Sequence, residues 1–484
     1  MKKTKIIATV GPACEKNETL KALVRAGADL FRINASHTNP AGLKQWIGRI
    51  RKAGLQLGTP VSILVDLQGP RVRTGRLKNG KPLNLKKGNA VIIVPSSAPG
   101  FEGRITTSCR QFPKMVKAAD SILLDNGLME LEVQKVKGRE VSCRVVRGGT
   151  LGENKGINLP HAPVTLPALG PKDLRDLRAA THMGVDYIAL SFVRSAEDVL
   201  TAKRWLKKHG KNVPVIAKIE KPKAVASFSS ILDVADGIMV ARGDLGIEMG
   251  VERVPVIQKL LIAEANRRNL PVITATQMLE SMISQPSPTR AEASDVANAV
   301  FDGTDAVMLS GETAIGQYPL EVIRVMSQII LDAEKHIGEI SAELSSGKGV
   351  RPEDRAISSI THAARHAAKD LGAKAIIVFT LTGKTAVLLC KFRPVAPIIA
   401  LTPSDTISRR LNLFRGVFPL KIRYGKTPYG MILAADKVVM RAGFLMKGDP
   451  VVLLSGKYAL PGTRYMTKVH SVGDKEWKRP SLPS

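Results

Sequence analysis

Aromatic residues are scarce: Phe, Trp and Tyr together make up 4% of the 484 residues. A chain so poor in aromatics has few platforms on which nucleic-acid bases could stack. Cysteine is scarcer still. Cys14, Cys109, Cys143 and Cys390 lie far apart and form no C-x-x-C pair, which argues against a disulfide framework or a zinc site and for free thiols in a reducing compartment. No apolar run is long enough to span a bilayer. The start, Met1-Lys2-Lys3-Thr4, runs into the apolar stretch Lys5–Val10, which stops at Gly11-Pro12. That stretch is too short for a secretory signal, so a cytoplasmic location is expected. Acidic residues are also short, 42 against 72 Lys and Arg, for a net charge of +30. Such a surface attracts polyanions. The basic residues are scattered and no nucleic-acid motif is visible, so the expectation is general attraction for phosphorylated metabolites, with no specific nucleic-acid partner and no membrane.

Hydrophobic residues reach 44%, ample for packed cores, and the length suits about three domains. The first 74 residues alternate strand and helix signals: strand Thr4–Val10, helix Glu18–Ala26 ending at Gly27, strand Asp29–Asn34, helix Pro40–Lys52 and strand Val61–Asp66. This rhythm predicts a parallel sheet. It then breaks. Over 75–157 short strands are split by Gly, Asn and Pro, namely Ala90–Val94, Ile122–Leu124, Leu128–Val136 and Glu140–Val146, with Asp125-Asn126-Gly127 as a hairpin turn. This reads as an inserted β-rich domain. The alternation resumes over 158–340 with strands Tyr187–Phe192, Val213–Ile219, Gly237–Val240, Pro271–Ala275 and Ala306–Leu309, and Thr289 with Glu292 makes a capping box. Three strands before the insertion and five after it suit a closed (β/α)₈ barrel. Residues 341–354 read as a linker rich in Gly and Ser. A third, α/β unit follows over 355–484: helix Arg355–Leu371, strand Ala375–Thr380, helix Lys384–Lys391, strand Ile398–Leu401 and strand Val451–Leu454.

Polar residues gather where the barrel strands end. One strand closes in Arg32-Ile33-Asn34 with Ser36 beyond, the next in Asp66 with Arg71 and Arg73 beyond. Others close in Lys218-Ile219-Glu220, Arg242-Gly243-Asp244, Thr276-Gln277 and Ser310-Gly311-Glu312-Thr313. In a barrel the C-terminal strand ends form one ring around one mouth, where active sites sit. Any one of these charges alone is best read as an ordinary ion pair at a strand–helix boundary; six such ends together point to chemistry. Carboxylates mixed with Arg and Lys suit phosphoryl transfer. Carboxylate oxygens hold Mg²⁺ while it keeps positions for substrate oxygens, and the cations balance charge on the moving group. Glu220 and Asp244, closing neighbouring strands, are the natural metal ligands, and Gly243 allows close approach of backbone to ligand.

At these residues the chain resembles the pyruvate kinase family. The segments that carry the likeness are TKIIATVGPA at Thr4–Ala13, LFRINASH at Leu30–His37, VIAKIE at Val215–Glu220, MVARGDLGIE at Met239–Glu248, ATQMLESM at Ala275–Met282, the long stretch Pro288–Ala314 and KVHSV at Lys468–Val472. The resemblance covers nearly the whole chain. The resemblance implies a phosphotransferase that moves the phosphoryl group of phosphoenolpyruvate onto ADP, giving pyruvate and ATP, with Mg²⁺ or in its place Mn²⁺. By it, Arg32, Lys218, Gly243, Asp244 and Thr276 would meet phosphoenolpyruvate. Lys218 would stabilise the transition state, and Thr276 would help route a proton to the enolate. Glu220 and Asp244 would hold the metal. Arg73, Lys155, Asn34 and His37 would meet the nucleotide. The inserted domain would be a small β-barrel lid that excludes water, the third domain would be regulatory, and the assembly a homotetramer.

One departure from the family is informative. Potassium-requiring members read Asp-Thr-Lys-Gly-Pro-Glu where this chain reads Asp66-Leu67-Gln68-Gly69-Pro70-Arg71. Leu67 has no hydroxyl for K⁺, and Arg71 puts a fixed cation where an acid would stand. A guanidinium can supply the charge that K⁺ otherwise provides, so K⁺ independence is predicted, with Asn34, Ser36 and Asp66 as the remaining ligands of such a site. In the third domain, Thr380, Thr382, Gly383, Lys384 and Thr385 lie between a strand and a helix. Amides, hydroxyls and a lysine there suit the phosphate of an effector; a plain turn is an equal reading. His362 and His366, four apart on a helix with no third ligand, are read as exposed helix positions, and the basic tail 475–484 as a terminus.

Overall fold

The computed structural model describes residues 1–160, 166–337, 354–457, 459–461 and 464–474. Most of the linker expected over 341–354 and all of the tail 475–484 lie outside the described residues.

Eight parallel strands close into a barrel in sequential order: β1 (Lys5–Thr9), β2 (Leu30–Asn34), β3 (Ser62–Asp66), β4 (Tyr187–Leu190), β5 (Val215–Ile219), β6 (Gly237–Ala241), β7 (Val272–Ala275) and β8 (Ala306–Leu309), with β8 pairing back onto β1. Apart from Asn34 at the end of β2 the strands are buried, because helices cover their outer faces and side chains fill the interior. Helix Asn17–Ala26 stops at Gly27, whose φ of 121° an L side chain would resist. The helix expected over Pro40–Lys52 runs on to Leu57 and stops at Gly58 in the left-handed conformation. Gly54 inside it is a packing residue, since an added Cβ would lie 3.1 Å from Thr59 O. The capping box forms before helix Arg290–Asp302: the Thr289 hydroxyl accepts from Glu292 N at 3.2 Å, and Glu292 accepts from Thr289 N at 2.8 Å.

The inserted segment folds into a seven-stranded sheet that includes Ala90–Pro95, Ser121–Leu124, Met129–Lys137 and Glu140–Arg147. A bridge between Thr74 and Thr107 joins the ends of its first and last strands and curls it toward a small barrel. The hairpin turn forms where expected, with Asp125, Asn126 and Gly127 all at positive φ and Leu128 N donating to Asp125 O at 3.2 Å. Strands of two to four residues, such as Val72–Arg73, Arg104–Thr107 and Gly156–Asn158, are too short for periodicity to reveal.

The C-terminal unit is a five-stranded sheet in the order Val417–Lys421, Ile398–Thr402, Ala375–Phe379, Pro450–Ser455 and Met466–Ser471, the last antiparallel. The sequence reading names only the three central strands. Both missed strands are edges. One carries Pro419, tolerated only where no ladder partner needs its N–H; the other, MTKVHS, lacks an apolar run.

This unit packs under the barrel floor. Asp305, which precedes β8, accepts from Lys391 Nζ at 2.6 Å and from Val272 N at 2.9 Å, and both members of the ion pair are buried. Breaking a buried pair strands a charge, so Asp305→Ala is expected to cost about 3 kcal/mol; a urea midpoint no lower than that of the native chain would refute this.

Candidate active site

β2, β3, β5, β6 and β7 deliver the expected residues to one mouth. A cavity of about 100 Å³ there is lined by Arg32, Asn34, Ser36, Asp66, Leu67, Arg71, Lys218, Glu220, Asp244 and Thr276. At its centre lies a buried charge cluster. Arg32 reaches Asp66 Oδ2 through Nε at 2.8 Å and Nη2 at 2.7 Å, and donates to the Thr9 hydroxyl at 3.2 Å. Lys218 Nζ stands 3.2 Å from Asp66 Oδ1 and 2.9 Å from Glu220 Oε1, and donates to the Ser191 hydroxyl at 2.8 Å. Ser191 in turn donates to Asp66 at 3.1 Å.

The charges sort themselves by these contacts. Burial works to lower the Lys218 pKa, but Asp66 and Glu220 outweigh it and hold the ammonium above the ordinary lysine value. Burial works to raise Asp66, yet Lys218 and Arg32 hold it below the usual carboxylate range. Glu220 is pushed up, first by burial and then by Asp244, against the pull of Lys218. Its Oε2 accepts from Phe192 N at 2.6 Å, whereas Oε1 meets Lys218 only as an ion pair and has no well-directed hydrogen bond.

The walls hold unusual backbone. Phe192, Thr276 and Gln277 sit at φ of 55°, 73° and 52°, conformations that persist only where the surroundings impose them. Arg242 imposes the last two, donating from Nη2 to Thr276 O at 2.6 Å and to Gln277 O at 3.3 Å while Asp295 holds its Nη1 at 2.6 Å. The Thr276 hydroxyl donates to Ala275 O at 2.6 Å and accepts from Gly243 N at 2.7 Å. A Cβ added to Gly243 would meet that hydroxyl oxygen at 3.4 Å. Beyond Gly243, Asp244 and Thr276 a cleft of about 670 Å³ opens, with Asn126, Gly127 and Arg147 of the inserted domain on it.

Of the other expected residues, Lys155, Arg73 and His37 stand outside the cavity, whereas Asn34 and Arg71 are on its wall. Lys155 pairs with Asp125 inside the inserted domain at 2.9 Å, and Arg73 donates to Asn154 O at 3.1 Å. His37 is largely exposed; what burial it has, then Arg73, Arg32, Arg71 and Lys172, pull its pKa below the ordinary histidine value. Asn34 caps the turn Ala35–His37 by accepting from Ser36 N at 3.1 Å. Arg71 reaches from the barrel to the lid, 3.8 Å from Asp244 and 3.2 Å from Asn126 Oδ1. In the C-terminal unit the Thr380 hydroxyl accepts from Gly383 N at 2.9 Å, Thr382 lies beside Lys384 N, Thr385 is buried, and the Lys384 ammonium pairs with Asp354. His362 and His366 meet each other at 3.3 Å on an exposed helix face. No group of three or more His, Cys, Asp and Glu is gathered for a metal among the described residues. No described helix is long and apolar enough to cross a membrane.

Ser191 and Phe192 are site residues absent from the expected ring, and Arg242, expected at a strand end, has a backbone-holding role that the sequence does not reveal. The strand-end rule reaches the first two, because they follow β4; a serine and a phenylalanine carry no charge to draw notice.

A closed β/α barrel with one buried charge cluster at the C-terminal mouth defines a barrel enzyme. Two family models identify which. "Pyruvate kinase, barrel domain" matches residues 1–323 and "Pyruvate kinase, alpha/beta domain" matches 358–470. The chain is 42% identical to a pyruvate kinase of Geobacillus stearothermophilus over 98% of its own length and 81% of the relative's. It is 42% identical to one of Clostridium acetobutylicum over 98% and 100%. A crystal structure of a pyruvate kinase from Cryptosporidium parvum superposes with a TM-score of 0.90 at 36% identity, covering 97% of this chain and 96% of that one. The chain belongs to the pyruvate kinase family.

Proposed function

We propose that this chain transfers the phosphoryl group of phosphoenolpyruvate to ADP, forming pyruvate and ATP. The observation that carries the reading is the Lys218 ammonium, buried between Asp66 and Glu220 yet lining a cavity shared with Arg32, Asp244 and Thr276. A cation held charged in a dry site is what a transferring phosphoryl group requires. Arg32, fixed by Asp66, lines the same space.

The donor set fits a divalent ion. Glu220 Oε1 is a buried carboxylate oxygen without a hydrogen bond, and Asp244, partly exposed, lines the same cavity. Two carboxylates suit Mg²⁺, or Mn²⁺ in its place, which takes its other positions from water and substrate phosphates. Bound there, the ion would neutralise charge on the phosphoryl oxygens. Gly243 leaves room for substrate beside Thr276, and the Thr276 hydroxyl, turned from Ala275 O, would deliver a proton toward the enolate. Arg73, Lys155, Asn34 and His37 form the nucleotide side; Lys155 must exchange Asp125 for a phosphate as the lid closes. The domains of this reading are a barrel over 1–74 and 158–340, a lid over 75–157 whose sheet also takes in Val72–Arg73 and Asn158 at its borders, and a regulatory unit over 355–484. An effector phosphate at Thr380–Thr385 would compete with Asp354 for Lys384. A homotetramer is proposed from the family resemblance alone.

The test is pyruvate formation from phosphoenolpyruvate, ADP and Mg²⁺, with K⁺ or with tetramethylammonium. Because Arg71 supplies a fixed cation beside Asp244, turnover in the two salts is expected to agree within about twofold. Turnover that needs K⁺ would refute the role given to Arg71, and none in either salt would refute the function.

A further inference from the structure

The lid joins the barrel through a second buried polar group, outside the cavity. Asn158 ends the strand Gly156–Asn158, which pairs with Val72–Arg73 on one side and with Leu123-Leu124 on the other. Its Nδ2 donates to Glu248 Oε1 at 2.8 Å, and the same oxygen pairs with the Lys221 ammonium. Asn158 and Glu248 are both buried, and Lys221 is nearly so.

The chain positions of the three residues matter. Glu248 lies one helical turn beyond Asp244 on the helix Arg242–Met249, so the two share a face. Lys221 directly follows Glu220. Each of the two carboxylates assigned to the metal is therefore attached, through one short piece of backbone, to a residue that grips Glu248, or to Glu248 itself. Asn158 brings in the lid sheet.

We propose that Asn158, Glu248 and Lys221 form a strut through which the lid's position sets the geometry of Glu220 and Asp244, making these three positioning residues for the metal site. The proposal rests on the metal reading given above. The strut also has room to change. Asn158 Oδ1 and Glu248 Oε2 are buried without a hydrogen-bond partner, and buried acceptors are rarely left so. The Lys221 ammonium carries three donors, so a small shift of the lid can supply one of them.

Two measurements on the full chain test this. Mn²⁺ affinity, followed by electron paramagnetic resonance, is expected to weaken about tenfold in Asn158→Leu and in Lys221→Met, as for other residues that support metal ligands. The double variant should be no weaker than either single one, because both break the same strut. Amide hydrogen exchange at Gly156–Asn158 should quicken in Lys221→Met, although Lys221 lies on the barrel. Conservative Lys221→Arg should restore both readings in part. Single variants that bind Mn²⁺ within twofold of the native chain, or additive losses in the double variant, would overturn the strut. Mn²⁺ binding that ignores Glu220→Gln would instead overturn the metal assignment; faster exchange in Lys221→Met would then still establish the lid contact, and unchanged exchange would remove it too.

Discussion

Lys218→Met is expected to lower kcat for phosphoryl transfer by about 10³-fold while leaving the fold intact. Methionine keeps the unbranched apolar stem of lysine, ends one atom short of it, and removes the ammonium with its charge and its bond to Ser191. In the native chain that charge is held fully protonated by Asp66 and Glu220 in spite of burial, so it needs no reorganisation when the phosphoryl group arrives. The fold survives because neither carboxylate depends on Lys218 alone. Asp66 keeps two contacts to Arg32. Glu220 keeps Phe192 N and, already pushed toward protonation by burial, can take up a proton in place of its lost partner. The phosphoenolpyruvate KM should change far less than kcat, since Arg32 still offers its guanidinium. An unchanged kcat, with circular dichroism confirming a native fold, would remove Lys218 from the mechanism; a collapsed fold would show that its role is structural.

What the sequence reveals of this protein follows the strength of each local signal. The barrel strands are continuous apolar runs ending in charged residues, so both the barrel and most of the ring at its mouth are legible. Edge strands such as Val417–Lys421 are not, because an edge tolerates Pro419 and needs no apolar run. The ring's backbone is equally hidden. Nothing in the letters of Thr276 or Phe192 announces a positive φ, since Arg242 and Glu220 impose it from elsewhere in the fold. Lys155 is a different case: its nucleotide contact is implied by the family resemblance alone, and in the structure its ammonium pairs with Asp125. Contacts between segments far apart in the chain, such as Asn158 with Glu248, have no spacing to betray them.

Glu220→Gln is expected to lower turnover by roughly 10²-fold or more, since a metal's Lewis-acid action on a phosphoryl oxygen is worth several kcal/mol. The change is nearly isosteric, and its consequences can be followed atom by atom. The Gln carbonyl can still accept from Phe192 N. That leaves the amide nitrogen where Oε1 now stands, 2.9 Å from the Lys218 ammonium, so a donor faces a cation and no anionic oxygen remains for a metal. Glu220→Asp separates the two effects. It keeps the charge but draws the carboxylate back by one methylene, away from Phe192 N and closer to its own strand. If Glu220 serves the metal, raising Mn²⁺ should restore much of the Asp variant's turnover and little of the Gln variant's, because only the former still offers a carboxylate. If Glu220 serves mainly to hold Lys218, extra metal should help neither, and the deficit of the Asp variant should be the same at every metal concentration. The metal titration of these two variants, run beside the native chain, decides which of the two partners of Glu220 the site is built around.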